Sequence, residues 1–254
     1  MEIYYMIVTF IFGAVLGSFY NVVGYRIPKG ESLITPSSHC TKCNHKLGAS
    51  ELVPIFSWIF LGGKCKNCKE KISCFYPVFE LSSGILFALS YHLFGFSIQF
   101  LISITFISML LIIIISDYQT MIIPDEVLIS SSIILLIEFM IKDGGTSILG
   151  HLLDGFVSFL LLFLLKKIGD FLFKKESMGG GDLKLMAVIG MVLGWKVALI
   201  CIFLASFIGL PISLIILFKN KTDIIPFGPF LSVSAIILFL LQLDFQTIIT
   251  FLTF

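Results

Sequence analysis

A chain of 254 residues with a mean hydropathy of +1.05, 57% hydrophobic residues and 13% charged ones lies outside the range of soluble domains, whose charged share is about 25%. The composition argues for an integral membrane protein, and a formal net charge of +1 gives no support to nucleic-acid binding. Where the charges sit informs more than their sum.

The first apolar run, about 4–25, begins Met1-Glu2 without a basic leader and continues into Asn21 and Arg26 without a small-residue cleavage site. It is expected to be a retained span rather than a signal peptide. A lysine-rich loop follows, from about Ile27 to Phe75. Further runs at about 76–95, 98–116, 126–141, 148–166, 196–218 and 229–250 have the roughly 16–22 residues that a helix needs to cross about 30 Å of hydrocarbon. A shorter run, Leu183 to Gly194, is decided by charge. Counting it gives eight crossings, with fifteen of the 17 basic residues on one side and Lys142 and Lys196 on the other. With seven crossings Lys219 and Lys221 change sides, so the positive-inside rule favours eight. The expected fold is an all-α polytopic membrane protein of about eight helices with one cytoplasmic loop.

Four of the six cysteines fall in that loop as two Cys-x-x-Cys pairs, Cys40-Thr41-Lys42-Cys43 and Cys65-Lys66-Asn67-Cys68. The pattern is C-x2-C-x21-C-x2-C. Four thiolates suit tetrahedral Zn²⁺ and close its coordination, so the metal would be structural and would hold a segment with little core of its own. Two disulfides are the alternative, disfavoured by a cytoplasmic loop. Cys74 and Cys201 are expected as apolar fillers, and His39 and His45 as solvated groups or neighbours of the metal.

Three carboxylates fall at the same membrane face. Asp117 ends one apolar run, Asp125 opens the next, and Asp182 follows Gly179-Gly180-Gly181, where glycine permits φ > 0 or a close approach of another chain. Lys184 lies just beyond. Each aspartate taken alone reads as a helix-end carboxylate, but their coincidence at one interface points to acid/base chemistry. Two carboxylates a few ångströms apart do not both ionise easily, so one holds a proton and polarises a carbonyl while the other activates water. Glu80, Asp154 and His151 are further ionisable groups at span ends. Pro226-Phe227-Gly228-Pro229 is expected to be a rigid turn with a structural role.

Taken together, five stretches in order resemble the bacterial type IV prepilin peptidase family. They are Gly17-Ser18-Phe19-Tyr20-Asn21-Val22-Val23 with Arg26 and Pro28, Ser38-His39-Cys40 with the paired Cys-x-x-Cys, and Tyr76-Pro77-Val78-Phe79-Glu80-Leu81. Asp117 through Pro124-Asp125 and Gly179-Gly180-Gly181-Asp182-Leu183-Lys184-Leu185, the GxGD motif, complete the set. The resemblance implies a membrane aspartic protease of the bacterial inner (cytoplasmic) membrane that removes the leader of type IV prepilin or pseudopilin precursors at the cytoplasmic face, serving pili, secretion or competence. It implies a second activity, methylation of the new amino terminus from S-adenosylmethionine. Asp117 and Asp182 are then the catalytic pair, with Asp125, Gly179, Gly180, Gly181 and Lys184 supporting. Cys40, Cys43, Cys65 and Cys68 hold the metal, and Asn21, Arg26 and Glu80 belong with methylation. The domains would be 1–26, a first transmembrane helix; 27–75, the zinc loop; and 76–254, the peptidase core, with lipid as a surrounding partner.

Two rivals follow from the same residues. A proton-coupled transporter would want carboxylates near the bilayer midplane, whereas Asp117 and Asp182 lie at a span's edge. A membrane scaffold docking a partner through its cysteine loop would tolerate replacement of both.

Overall fold

In a computed structural model the described residues are 1–176, 178–220 and 225–243, and they are helical with only isolated bridges between extended segments. The helices are α1 (Glu2–Arg26), α2 (Phe56–Phe60), α3 (Phe75–Phe94), α4 (Ile98–Thr120), α5 (Asp125–Asp143), α6 (Ile148–Phe173), α7 (Gly180–Leu193), α8 (Trp195–Asn220) and α9 (Gly228–Leu240). Every apolar run of the sequence reading becomes one of these helices. The last expected run extends to residue 250, of which 244–250 lie outside the described residues, as does Lys221. Among the described residues five helices are long and apolar enough to cross a membrane: α1, α3, α4, α6 and α8. The large apolar side chains they expose, such as Phe12, Phe156 and Phe207, suit a lipid solvent.

The chain divides into two compact units, Met1–Phe100 and Leu101–Phe254. In the first, α1 packs along α3 because glycines remove the side chains that would hold the helices apart. A Cβ on Gly13 would meet the Ser83 carbonyl at 2.7 Å, one on Gly17 the Glu80 Cα at 2.9 Å, and one on Gly84 the Phe10 carbonyl at 2.9 Å. Small residues at an interface are how membrane helices approach closely. At one end of the pair His92 Nδ1 lies 3.1 Å from Glu2 Oε1. From the other end comes the cysteine loop.

In the second unit the doubtful short helix lies inside. Leu185, Met186 and Ile189 of α7 are fully buried, and α7 touches α5, α6, α8 and α9. A helix of 14 residues rises only about 21 Å, and enclosure by longer neighbours removes the need to match the bilayer. Gly155 and Gly190 allow the α6–α7 approach: added Cβ atoms would meet the Ala187 carbonyl at 2.8 Å and the Asp154 carbonyl at 2.8 Å. Within the apolar run of α5, Glu138 is buried and accepts from Thr105 Oγ1 at 2.8 Å, a pairing the sequence reading did not anticipate. His151 stacks on Phe139 and bridges the Met191 carbonyl (2.9 Å) and Asp143 (3.3 Å). Cys201 is a buried filler as expected, whereas Cys74 is exposed just before α3.

Candidate active site

The polar stretch after α4 folds back on itself. Ser116 Oγ donates to the Ile122 carbonyl at 2.6 Å and the Met121 amide to the Asp117 carbonyl at 2.9 Å, with Met121 in the left-handed region at φ 56°. Pro124 then caps α5. This turn presents Ile123 inward: a Cβ on Gly181 would meet Ile123 Cβ at 2.9 Å, and one on Gly228 would meet Ile123 Cδ1 at 3.1 Å. The α4 end, the glycine run and the start of α9 are thereby brought to one place.

Asp117 and Asp182 are both buried there, near enough for the charge of one to act on the other. Asp117 Oδ2 accepts from the Gly228 amide at 3.1 Å. Asp182 is the third residue of α7, in the first turn where a negative charge suits the helix dipole, and its Oδ2 lies beside Gly179, 3.5 Å from where a Cβ there would stand. Its Oδ1 is buried with no partner among the described residues. Asp182 therefore stands at a helix start, as the sequence suggests. That position leaves one oxygen and the neighbouring carboxylate unexplained, and a buried polar atom without a partner is uncommon enough to need a reason.

The glycine run differs from expectation in one respect. None of Gly179, Gly180 and Gly181 has a positive φ. Close approach is the operative cause at Gly181, while a Cβ on Gly180 would meet nothing within 4 Å. Asp125 and Lys184 pair with each other, Nζ to Oδ2 at 2.7 Å and to Oδ1 at 2.8 Å, both about half exposed. Gly228 was expected only as part of a turn, yet it touches Asp117. A glycine between prolines at a helix start was the available signal, but only tertiary structure supplies the partner.

In the first unit the four loop cysteines converge, their sulfurs within 4.8 Å of one another. Cys40–Cys68 and Cys43–Cys65 sulfurs are 3.8 and 3.9 Å apart. A tetrahedron of thiolates with Zn–S of about 2.3 Å has edges of about 3.8 Å, so the donor set fits the ion. All four are free of disulfides, and the amides of Cys43 and Lys42 hold the Cys40 thiol down at about 6. His39 and His45 turn elsewhere, to the Ser37 carbonyl (2.9 Å) and Glu51 (3.2 Å). Asn21, Arg26 and Glu80 are buried. Asn21 Nδ2 donates to the Gly17 carbonyl at 3.1 Å, Arg26 to the Ser32 carbonyl at 2.9 Å, and Glu80 Oε2 accepts from the Ile55 amide at 2.7 Å. Asn21 Oδ1 has no partner among the described residues.

Comparison with known proteins agrees with this partition. Residues 11–94 match the bacterial peptidase A24 N-terminal domain and residues 104–214 the type IV leader peptidase family. A protein of Bacillus subtilis (strain 168) named prepilin leader peptidase/N-methyltransferase is 36% identical over 236 residues, covering 92% of this chain and 93% of the relative. The chain belongs to the type IV leader peptidase family. Relatives of the same name from Neisseria gonorrhoeae and Aeromonas hydrophila are each 32% identical, over 90% and 91% of this chain and 88% of each relative. No solved structure matches. The leader peptidase match contains Asp117, Asp125, Asp182 and Lys184, the N-terminal match contains all four clustered cysteines, and Gly228 lies outside both.

Proposed function

We propose that the chain is a membrane-embedded aspartic endopeptidase that removes the leader from type IV prepilin-like precursors and then N-methylates the new amino terminus, with Asp117 and Asp182 as the catalytic pair. The observation that carries this is the burial of both carboxylates at one place, Asp117 beside Gly228 and Asp182 next to Gly181, with Ile123 packed against both glycines, in a chain of the leader peptidase family. The ionised partner draws a proton from water as it attacks, the protonated partner donates to the scissile carbonyl oxygen, and the pair exchanges roles as the amine leaves. The Gly228 amide orients Asp117; Asp182 Oδ1, without a partner among the described residues, offers the second contact; and the open space beside Gly180 leaves room for an extended peptide. Asp125 and Lys184 support from the rim by tying α5 to α7.

The remaining assignments belong to the same proposal. Eight crossings place the aspartates and the cysteine loop on the cytoplasmic side of a bacterial inner membrane, supported by the one-sided lysines. Cys40, Cys43, Cys65 and Cys68 would hold one Zn²⁺, which closes the loop and leaves no coordination position for substrate. S-adenosylmethionine, when bound, supplies an electrophilic methyl group; the open acceptor Oδ1 of Asn21 suits an ammonium or hydroxyl of such a donor, while Glu80 and Arg26 fix the surrounding backbone. The functional division is 1–26 as first span, 27–75 as zinc loop and 76–254 as peptidase core. The relatives are named for peptidase and methyltransferase activity, which leaves the transporter alternative without support. Incubating the purified chain with a pilin-like precursor tests the reading: leader removal that survives Asp117→Asn and Asp182→Asn would end it.

A further inference from the structure

The short helix α2 is inverted for a loop in water. Trp58 turns back into the loop, its Nε1 donating to the Ile72 carbonyl at 3.1 Å and its ring packed over Gly63. The opposite face, residues 56, 59 and 60, is apolar and outward, with Phe56 and Ile59 each 57% and Phe60 84% exposed. Phe56 and Phe60 stack on each other, with ring centroids 6.5 Å apart. The neighbouring Leu52 and Val53 are exposed as well.

Depth decides what this face meets. The residue before α2, Ile55, is tied by its amide to Glu80, at 2.7 Å. Glu80 is the sixth residue of α3, about 7–8 Å along that helix from its start, and its Cα lies against Gly17, well inside α1. Tyr25 and Tyr76 stand nearer the helix mouths, next to the last residue of α1 and second in α3, where aromatic residues mark a membrane interface. Helical side chains lean toward the N-terminus, so Ile55 sits near the level of these tyrosines and α2 starts there. Charge agrees: from residue 27 to 75 seven lysines face three glutamates. Glu70 pairs with Lys42 at 3.8 Å and Glu51 with His45 at 3.2 Å. Lys64, Lys66, Lys69 and Lys71 around Cys65 and Cys68 have no ion pair among the described residues.

We propose that the cysteine loop is seated on the membrane: Phe56, Ile59 and Phe60 enter the bilayer interface, and the lysines around Cys65 and Cys68 lie on anionic lipid headgroups. An apolar face flanked by lysines is the pattern of an interfacial helix, strengthened by anionic lipid. The seat fixes the height of the loop over the helix mouths, which Glu80 alone does from one side.

The test uses the full chain in lipid nanodiscs and no enzyme assay, so its outcome is separate from that of the proposed activity. In Phe60→Trp, and independently in Phe56→Trp, the added indole is expected to be quenched by lipids brominated near the glycerol end of the acyl chain and shielded from acrylamide. Trypsin cleavage at Lys64–Lys71 is expected to slow about fivefold for each lysine reaching the surface when phosphatidylglycerol replaces phosphatidylcholine, and to recover in high salt. Acrylamide quenching without an effect of brominated lipid would place the face in water. Shielding from both quenchers would mean that protein covers it, and equal cleavage in the two lipids would remove the headgroup contact; any of these overturns the proposal.

Discussion

The cysteine cluster and the aspartate pair are both groups of ionisable side chains brought together from distant sequence, and they are finished differently. In the cluster the four sulfurs lie within 4.8 Å of one another, two pairs of them 3.8 and 3.9 Å apart, and a tetrahedral ion would use all four. Asp117 is held from one side by the Gly228 amide, and Asp182 Oδ1 is buried with no partner among the described residues. A site that holds structure uses up its valences. A site that works on a substrate keeps some open, and tolerates the local cost of one to three kcal/mol or so for an unsatisfied buried group.

The sharpest way to break this contrast is to remove a proton-exchanging group from the open site. Asparagine keeps the size of aspartate and cannot shuttle a proton. Asp117→Asn and Asp182→Asn should therefore each lower leader cleavage on the order of 10⁴-fold, with the double variant scarcely worse, since the two act as a unit. Cleavage by the native chain should fall at both low and high pH, as a pair sharing one proton is first doubly protonated and finally doubly ionised. Leader removal followed across pH in correctly inserted variants checks both; activity rising steadily toward one end would leave only one titrating group in the reaction.

Next in size are the glycines that allow the pair to form. A Cβ on Gly228 would fall 2.6 Å from Asp117 Oδ2, and one on Gly181 2.9 Å from Ile123 Cβ. Displacing a reacting group by about 1 Å costs about 10²-fold in rate. Gly228→Val and Gly181→Val should each reduce cleavage by about that factor while membrane insertion and zinc content stay normal. Gly180→Ala, with nothing within 4 Å, should change apo-protein stability little. Thermal unfolding in detergent beside the rate assay separates these outcomes.

The closed site should respond the other way. Cys43→Ser is expected to remove the metal and loosen residues 27–75, seen as loss of one zinc per chain and faster proteolysis there. Methylation of an already cleaved substrate should drop, and cleavage should drop less than tenfold. Equal loss of the two activities would show that the loop serves the aspartates rather than a separate step.

What could be read beforehand follows the range of the interactions. The apolar runs specify helices through local composition, and the Cys-x-x-Cys pairs specify their own meeting because four thiolates have one obvious common use. That Asp117 and Asp182 share a face came from charge bias along the chain. The Gly228 amide at Asp117 and the ion pair between Asp125 and Lys184 were illegible, because each joins elements far apart in sequence whose contact depends on how helices pack. Glu138 was hidden for another reason: a single carboxylate within a long apolar run barely lowers its hydropathy, and only the Thr105 partner shows that it faces inward.

The smallest effect belongs to that ion pair, and it discriminates between aspartates that look alike in sequence. Asp125 opens α5, where a negative charge suits the helix dipole, and Lys184 stands early in α7, where a positive charge does not. The pair is about half exposed, so its contribution is about 0.2–1 kcal/mol. Asp125→Asn should accordingly cost less than about 1 kcal/mol of stability and less than tenfold in cleavage. Exchanging the residues, Asp125→Lys with Lys184→Asp, restores the attraction and moves the unfavourable lysine from the start of α7 to the start of α5, so the dipole effects offset and it should recover most of what Asp125→Lys alone loses. Unfolding and cleavage measured for the two single variants and the exchange give the coupling directly. If Asp125→Asn proved as damaging to cleavage as Asp117→Asn, with the fold intact, Asp125 and not a rim contact would be a member of the working pair.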